Sequence, residues 1–493
     1  MIQSACKNRW RQIHSFLSGY RFLVNPTLKL AAIYLIGISA LLRANIYYVD
    51  DMARALEGYS RFGAYSRHIA TLFSPFLHAD TYLTDISPLP QMIAVFVVAL
   101  ARVISVYLIT GEKRPSWWYL IASLPIGLSP YYLECLSYKY DSPYMALSVL
   151  FSVLPLLFSN GNQVVYGLCS MLGTIGMCTT YQASSGIFPM LVILLAIRRW
   201  TVGEKIKQIL QFTAVSAAGY LLGIGLFRCV LMSDFSAYAS TEAAPLAQLF
   251  PCMFSNYKKY IAHILRDFKP EWLAVSFLVC VCFLWTATCQ WKRNKIVGLV
   301  ITGIATLVLF LLSFGAYPVL VSPIFNARAM YGFGCFIAFL GIYAVANAPK
   351  ACPAKAVTLV LSWMFFVFSF TYGNAWNAQS KYTDFRITEA IDDLAECRTL
   401  WGEDITLQIT GSIGYSPVLE NMLNEFPIIE KLIPVTFQGD GWWGEYGIRY
   451  YYGLPGLKFA ETYDPPEKDL PVIADNYYHT IYADETYIWI ELH

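Results

Sequence analysis

The sequence is poor in charge. Asp, Glu, Lys and Arg make up only 14% of its 493 residues, whereas a soluble globular protein carries about 25%. Hydrophobic residues make up 57%, and the mean hydropathy is +0.47. With too few charges to coat a water-facing surface, much of the chain is expected to face lipid. The formal net charge of +2 gives no basis for nucleic-acid binding.

Three further signals are missing. The 12 cysteines lack metal-ligand spacing, and only Cys397 lies in the polar C-terminal part, so no disulfide framework is implied. Residues 1–29 are basic and only patchily apolar, so we do not expect them to act as a cleavable signal peptide. No internal repeat is evident, which argues against an inverted-repeat transporter.

What the chain has instead is a series of apolar runs, each long enough to approach the roughly 20 residues of a membrane span. We predict about eleven transmembrane helices, at residues 28–46, 89–110, 117–134, 143–159, 163–181, 186–200, 209–231, 272–290, 296–320, 329–348 and 355–373.

The connections between these runs alternate in charge, which predicts their sides of the membrane. The basic set comprises residues 1–29, 112–114, 198–208, 292–295 and 350–355. The other set holds most of the acids, and the positive-inside rule places it away from the cytoplasm. We therefore expect a cytoplasmic N-terminus (1–27), a membrane domain (28–373) with outer loops 47–88 and 232–271, and an outer C-terminal domain (374–493). In that tail, a predicted helix over 383–400 and predicted strands at 405–409 and 487–492 indicate a small α+β domain.

The first outer loop carries the strongest chemical signal. Asp50 and Asp51 are adjacent, so mutual repulsion would raise one pKa and suit that carboxyl to act as a general base. Either could instead cap the helix predicted over 51–73. Arg54, one turn later, could pair with Asp50 or bind an anionic ligand. Asp85 precedes a proline-bearing turn and could have only a turn role.

Further polar residues stand at the outer ends of later spans. Lys139 and Asp141 could be a surface pair or part of a site. Tyr181 and Gln182 lie at the same face, where Gln182 could bond a sugar hydroxyl or another helix. Arg328 begins a helix, where a cation opposes the dipole and needs an anionic partner, unless it reaches lipid headgroups. Together with the first-loop acids, these residues suit a substrate with hydroxyls, a phosphate and a lipid tail.

At this point the sequence resembles a known family, the O-antigen glucosyltransferases of serotype conversion (phage- and island-encoded Gtr proteins of enteric bacteria). The resemblance spans most of the chain. It rests on Tyr48-Val-Asp-Asp-Met-Ala-Arg54 with Gly58-Tyr59, Asp85 with Pro88-Leu89 and Gln91, Tyr140-Asp141-Ser142, Tyr181-Gln182-Ala183, Arg328, and Gly411-Ser-Ile-Gly-Tyr-Ser-Pro417. A Gly-Arg pair is usual in that family near Arg67, where this chain has Ser66-Arg67-His68.

The resemblance implies a membrane glycosyltransferase of the GT-C type in the bacterial inner membrane, with its active site facing the periplasm. The donor would be undecaprenyl-phosphate glucose and the acceptor a hydroxyl of the lipid-linked O-antigen repeat. Asp50 or Asp51 would be the base of an inverting displacement, and Asp85 would stabilise the oxocarbenium-like state. Arg328, Lys139 and Arg54 would bind the donor phosphate, and Asp141, Tyr181, Gln182 and Arg67 other parts of the substrate.

Trp442, Trp443 and Tyr451 in the tail could stack on the acceptor, or form the core of the small domain. No cofactor is expected and no metal ligands are assigned, although clustered acids leave a divalent metal open. The alternatives are a transporter or flippase, and an O-antigen polymerase. A transporter would need ionisable groups within its spans; Arg43 and Arg102 come nearest, and we interpret both as snorkelling to the interface.

Overall fold

A computed structural model describes residues 19–233, 242–291, 294–396, 405–439, 444, 446–448, 458–460, 464–466 and 469–493. The described chain is largely helical, with one small sheet near the C-terminus. The α-helices are α1 Val24–Gly37, α2 Ser39–Ala44, α3 Asp50–Glu57, α4 His68–His78, α5 Leu89–Thr110, α6 Trp117–Ala122, α7 Pro125–Leu128, α8 Pro130–Ser137, α9 Ser142–Val153, α10 Gln163–Cys178, α11 Ile187–Val202, α12 Ile206–Leu226, α13 Leu249–Asp267, α14 Pro270–Gln290, α15 Lys295–Leu312, α16 Ala327–Met330, α17 Gly332–Asn347, α18 Ala354–Glu396, α19 Pro417–Glu425 and α20 Ile428–Leu432.

Within the described residues, seven helical segments are long and apolar enough to cross a membrane: Leu89–Thr110, Gln182–Val202, Ile206–Leu231, Pro270–Gln290, Lys295–Leu312, Ala327–Asn347 and Ala354–Ala395. They coincide with the second predicted span and the last six. Shorter apolar helices, Trp117–Leu128, Ser142–Phe158 and Gln163–Cys178, coincide with the third to fifth. The first predicted span corresponds to α1 and α2, separated at Ile38. The structure is that of a multi-pass membrane protein.

The helix α17 lies at the centre of the bundle. Of the apolar window in Ala327–Asn347, 94% is buried, against 17% for Lys295–Leu312. A large exposed apolar fraction on the outer helices is what lipid contact requires. Gly332 is necessary at the start of α17, because a Cβ there would lie 2.0 Å from the carbonyl oxygen of Ser313. The central helix can therefore begin close against its neighbour.

The environment of Arg102 differs from its prediction. It lies fully buried on α5, where it donates to Ser123 Oγ and to the Leu120 carbonyl, each at 2.9 Å, and sits 4.3 Å from the Tyr34 ring. The prediction that Arg102 snorkels is wrong, because neighbouring helices provide its polar partners.

The basic connections gather at one end of the bundle. Arg198 donates to the carbonyl oxygens of Leu108 and Thr110, at 3.2 Å each, and Lys29 lies 5.1 Å from the Trp117 ring. Lys355 similarly lies over Trp118. Basic side chains and tryptophan rings at one level are typical of a membrane–water interface.

The first loop differs from its prediction. In place of one helix over 51–73, the chain forms α3, a short 3-10 turn at Phe62–Tyr65, and α4. Gly58 ends α3 in the left-handed region, with φ 65°, and Arg61 and Ser66 are also left-handed. These reversals fold the loop back on itself, which brings its arginines towards the ends of later helices. The other long loop contains the amphipathic helix α13, which leaves Phe250 and Phe254 exposed.

The last predicted span and the predicted helix over 383–400 are one helix, α18, which continues to Glu396; residues 397–400 lie outside the described part. The domain boundary predicted at 374 therefore falls inside a helix. Behind its C-terminal half stands a five-stranded mixed sheet in the order β2-β1-β5-β4-β3. Its strands are β1 Thr406–Gly411, β2 Lys458–Phe459, β3 Val472–Asp475, β4 His479–Ala483 and β5 Tyr487–Leu492. The alternating Ile488, Ile490 and Leu492 pack into a core with Ile387 and Leu394 of α18, as the period of two predicts.

Candidate functional site

Asp51 is completely buried in the first turn of α3. Its Oδ2 accepts from the backbone N–H of Tyr48 at 3.2 Å and of Lys139 at 2.8 Å, and its Oδ1 from the N–H of Tyr140 at 3.4 Å. Burial raises the pKa of Asp51 to about 8, against the lowering effect of these hydrogen bonds and of Arg54. The carboxyl therefore joins the first loop to the segment after α8, with its accepting positions turned to the backbone.

Asp50 has the opposite environment. It is partly exposed, and no hydrogen bond or ion pair to its carboxylate occurs among the residues the structure describes. The residue before it, Val49, has φ 45° and ψ −105°. Positive φ is unusual for a β-branched residue and costs conformational energy. This strained backbone holds Asp50 at the start of α3, where Arg54 is near enough to attract its carboxylate without forming an ion pair with it. Neither aspartate caps the helix, since the N-cap position belongs to Val49.

Asp141 forms ion pairs with two arginines of the first loop. Arg54, buried on α3, forms an ion pair with Asp141 Oδ1, and Arg67 Nη1 lies 3.2 Å from Oδ2. Arg54 also lies over the Phe62 ring, with 4.4 Å between Cζ and the ring centre. Lys139 and Asp141 therefore do not pair with each other. We call Asp50, Asp51, Arg54, Arg67, Asp85, Lys139 and Asp141 the first-loop cluster.

Lys139 pairs with Asp85. The distance from Lys139 Nζ to Asp85 Oδ2 is 2.9 Å, and the ammonium also lies 3.9 Å from the centre of the Tyr47 ring. Asp85 accepts from the Ser87 N–H at 2.8 Å, the turn contact that its position before a proline predicts. Partial burial works to raise the pKa of Asp85, but the bonds from Ser87 and Lys139 outweigh it and hold that pKa below its ordinary value.

Arg328 binds an acid from another helix, which satisfies the need for an anionic partner. Its guanidinium pairs with Glu134 Oε1, and its backbone N–H donates to Glu134 Oε2 at 2.6 Å. Glu134 is buried on α8, and Arg328 also lies 5.6 Å from the Tyr138 ring. Glu134 is absent from the predicted site set. Its signal was a lone carboxylate within the apolar run Pro130-Tyr-Tyr-Leu-Glu-Cys-Leu136.

Tyr181 and Gln182 complete the same face. The ring of the buried Tyr181 lies 4.8 Å from the Arg67 guanidinium, and Gln182 Nε2 donates to the Tyr65 carbonyl at 3.3 Å. Both therefore contact the first loop. Trp442, Trp443 and Tyr451 lie outside the described residues.

A second charged group, which we call the Asp267 cluster, comprises Tyr131, Arg266, Asp267 and Lys431. Asp267 is fully buried and accepts from Tyr131 Oη at 2.9 Å, from Arg266 at 3.1 and 3.2 Å, and from Lys431 Nζ. Lys431 also lies 3.8 Å from Met330 Sδ, beside Arg328 on α16. Lys431 is absent from the predicted site set, because nothing local distinguishes it from the other lysines of the tail.

One cavity of about 280 Å³ lies beside the first-loop cluster. Its lining residues come from the end of α2 and the residues after it, from the turn before α5 and the first turn of α5, and from the end of α8 and the segment after it: Leu41, Leu42, Asn45, Ile46, Ser87, Pro88, Gln91, Ser137 and Lys139. No group of three or more His, Cys, Asp or Glu side chains is arranged to hold a metal ion in the described ranges. Carboxylates, cations and a cavity thus meet at one end of the bundle, opposite the basic connections.

The chain is similar to known proteins both at the site and over most of its remaining length. The model of the family described as Glucosyl transferase GtrII matches residues 39–339, a range that contains the whole first-loop cluster, Glu134 and Arg328. Over 449 residues the chain is 25% identical to an uncharacterized 55.3 kDa protein of the gtrB 5′ region of Salmonella phage P22. That alignment covers 87% of this chain and 90% of the phage protein. No solved structure matches the chain.

Proposed function

Since the chain belongs to the glucosyl transferase GtrII family, we propose that it glucosylates O-antigen. The donor is undecaprenyl-phosphate glucose, and the acceptor is a hydroxyl of the lipid-linked O-antigen repeat. A lipid-phosphate donor and a lipid-linked acceptor both suit a site at the end of a membrane helix bundle. The family supports glucosyl transfer itself, and the charged face of the bundle supports the choice of a phosphorylated donor.

The charged face is proposed to lie in the periplasm. Its support is the separation of charge between the two ends of the bundle, since short basic connections are retained on the cytoplasmic side. We propose eleven spans, formed by the seven long apolar segments, the three shorter apolar helices, and α1 with α2. This odd number places the sheet on the same side as the site, where it and the 232–271 loop can hold the acceptor. Trp442, Trp443 and Tyr451 are proposed to stack on acceptor sugars.

The proposed base is Asp50. The observation that carries this choice is its partly exposed carboxylate, which forms no hydrogen bond or ion pair in the described part of the chain, beside the buried Asp51. A general base must have an open position for the proton that it takes. In the proposed reaction the acceptor oxygen bonds to the anomeric carbon from the face opposite the phosphate. The bond from that carbon to the phosphate oxygen breaks, the electron pair leaves with the lipid phosphate, and the acceptor proton passes to Asp50. The configuration at the anomeric carbon inverts.

The remaining cluster residues are proposed to position these groups. Asp85 stabilises positive charge at the anomeric carbon, while Arg328 and Lys139 face the phosphate. Arg328 and Lys139 also have acid partners, but the Arg328 side chain is 11% exposed and Lys139 lines the cavity. Arg54 is only 2% exposed, against Asp141, so we assign it to holding the first loop rather than to direct phosphate contact. The side of the proposed site next to these groups is formed by Arg67, Asp141, Tyr181 and Gln182. They contact the substrate or the part of the first loop that covers the substrate.

The direct test is transfer by purified protein of labelled glucose from undecaprenyl-phosphate glucose to lipid-linked O-antigen. We expect one glucosyl residue per modified repeat, and a decrease in kcat of about 100-fold or more for Asp50→Asn, the scale of general-base catalysis. Asp80→Asn is the matched control, because Asp80 is an exposed acid of the same loop outside the cluster. A transporter would move the donor without making product, and a polymerase would join whole repeats. Wild-type activity in Asp50→Asn would reject Asp50 as the base.

A further inference from the structure

The cavity beside Lys139 has walls of two kinds. Leu42, Ile46 and Pro88 offer apolar surface, whereas Asn45 and Gln91 offer carboxamides. The charge of Lys139 is matched by Asp85, 2.9 Å away. A cavity with neutral hydrogen-bonding groups and apolar walls suits an uncharged polyol better than an anion. Its volume of about 280 Å³ is at the lower end of ligand pockets, which suits a single sugar ring.

Gln91 provides an independent sign that a ligand belongs there. It is 5% exposed, and its Oε1 is buried without a hydrogen-bond donor in the described part of the chain. Buried polar atoms are nearly always satisfied, because leaving one unpaired costs about 1–3 kcal/mol. Because Gln91 lines the cavity, a rotation of its carboxamide towards the cavity would let a ligand hydroxyl supply the missing donor. The Asn45 side chain, also in the lining, is exposed and could be the second contact.

The cavity also has the right neighbours for a donor sugar. Lys139 lines it, bonds Asp85 through its ammonium, and bonds the buried Asp51 through its backbone N–H. Leu41 and Leu42 of α2 and Gln91 of the membrane helix α5 form the other side. A sugar here would lie between the carboxylates of the first loop and the membrane helices, where a lipid-linked ring is one phosphate away from its tail.

Resting on the proposed function, we propose that this cavity binds the glucosyl ring of the lipid-linked donor, with Gln91 and Asn45 as specificity-determining residues that bond its hydroxyls. The ring then lies beside Asp85 and Lys139. A site that bonds substrate hydroxyls discriminates strongly against ligands that lack them, because its own polar groups are then left unpaired. The protein should therefore prefer a glucosylated lipid phosphate to the bare lipid phosphate.

The test uses two probes, a short-chain isoprenyl phosphate glucose and the same isoprenyl phosphate without sugar, each titrated into the purified full-length protein in detergent. We expect the wild type to bind the glucosylated probe more tightly. Gln91→Leu, which keeps the side-chain volume, and Asn45→Ala should each weaken that binding roughly tenfold, the scale of one hydrogen bond. Binding of the sugar-free probe should stay within about twofold, since no phosphate contact is removed.

The matched control is Gln163→Leu. Gln163 also has a buried Oε1 without a donor in the described chain, but it lies at the start of α10 and lines no part of this cavity. It should bind both probes like the wild type. Equal weakening of both probes, or no weakening in either cavity variant, would overturn the sugar assignment. Those results can occur while glucosyl transfer by the wild type is intact, so failure of the cavity assignment is distinguishable from failure of the proposed function.

Discussion

The first-loop cluster and the Asp267 cluster use similar residues with opposite results. In the Asp267 cluster a single carboxylate accepts from Tyr131, Arg266 and Lys431, so its accepting capacity is used by the protein. In the first-loop cluster, Asp51, Asp85 and Asp141 accept hydrogen bonds or form ion pairs, whereas Asp50 does neither among the described residues and has only the longer-range attraction of Arg54. The difference separates acids that hold the structure from one that can take a proton. The two clusters also differ in what they connect. The first-loop cluster lies within the membrane part, whereas the Asp267 cluster joins the membrane part to the tail through Lys431.

Removing Arg54 should have the largest effect on stability. Arg54→Met keeps the length of the side chain but leaves Asp141 buried without its closest cation. Breaking a buried pair in this way costs about 3–5 kcal/mol, and Arg67 can compensate only in part. We expect a decrease of that size in the free energy of unfolding, measured by denaturant titration in detergent. Arg61→Met is the control, because the Arg61 side chain is 67% exposed and its loss should cost less than about 1 kcal/mol. Equal effects of the two substitutions would refute a structural role for Arg54.

Asp51 should make stability depend on pH. Its pKa is raised from 3.8 to about 8 by burial, so the folded protein holds this proton more tightly than the unfolded chain. The resulting stabilisation is complete below pH 3.8 and is lost as the pH rises towards 8. Asp51→Asn removes the titration but keeps an acceptor for the N–H groups of Tyr48 and Lys139. Titration of one group changes the unfolding free energy by at most about 1.4 kcal/mol per pH unit. Between pH 6 and 8 the unfolding free energy of the wild type should therefore decrease by about 2 kcal/mol more than that of Asp51→Asn.

The control for this measurement is Asp85→Asn. The pKa of Asp85 is held below its ordinary value by Ser87 and Lys139, so this group does not titrate between pH 6 and 8. The pH slope of the Asp85→Asn variant should match that of the wild type. If the Asp51→Asn slope matched it too, Asp51 would be ionised in the folded protein, and its burial would not dominate its pKa.

Sequence patterns anticipated the helical membrane part because apolar length is a local property, visible in each run without knowledge of its neighbours. The order of the spans also predicted a common face for the span-end residues, because alternate span ends lie on the same side of the membrane. These residues are Asp50, Asp51, Asp85, Lys139, Asp141 and Arg328. Partners were harder to anticipate. The pairs Arg54–Asp141 and Arg328–Glu134 join residues 87 and 194 positions apart, and no local pattern encodes such a contact. The division of the helix predicted over 51–73 was missed because left-handed residues other than glycine, such as Arg61 and Ser66, carry little sequence signal.

The contact between the tail and the membrane part should depend on Lys431. Lys431→Met leaves Asp267 with Tyr131 and Arg266, so the loss should be smaller than for Arg54, about 1–3 kcal/mol for a buried acceptor that loses a charged donor. We expect earlier cleavage of the tail by a protease, followed by gel electrophoresis, together with the lower unfolding free energy. Glu430→Gln, an exposed neighbour on α20, should behave like the wild type. Unchanged cleavage in Lys431→Met would mean that the tail is held by its apolar contacts alone.

The exposed pair between Lys269 and Glu425 should contribute least to the same contact. Its Nζ–Oε2 distance is 3.0 Å, but the Glu425 side chain is 71% exposed. Solvent screens such a pair, so Glu425→Gln should cost less than about 1 kcal/mol. Lys269→Met should cost slightly more, because Lys269 also lies 4.6 Å from the Phe426 ring. Raising the salt concentration should remove the wild type's advantage over Glu425→Gln but preserve most of its advantage over Lys431→Met, since only the exposed pair is open to screening. If salt reduced the stability differences for Glu425→Gln and Lys431→Met equally, the Asp267 cluster would be accessible to ions. Asp267 would then be no more enclosed than Asp50.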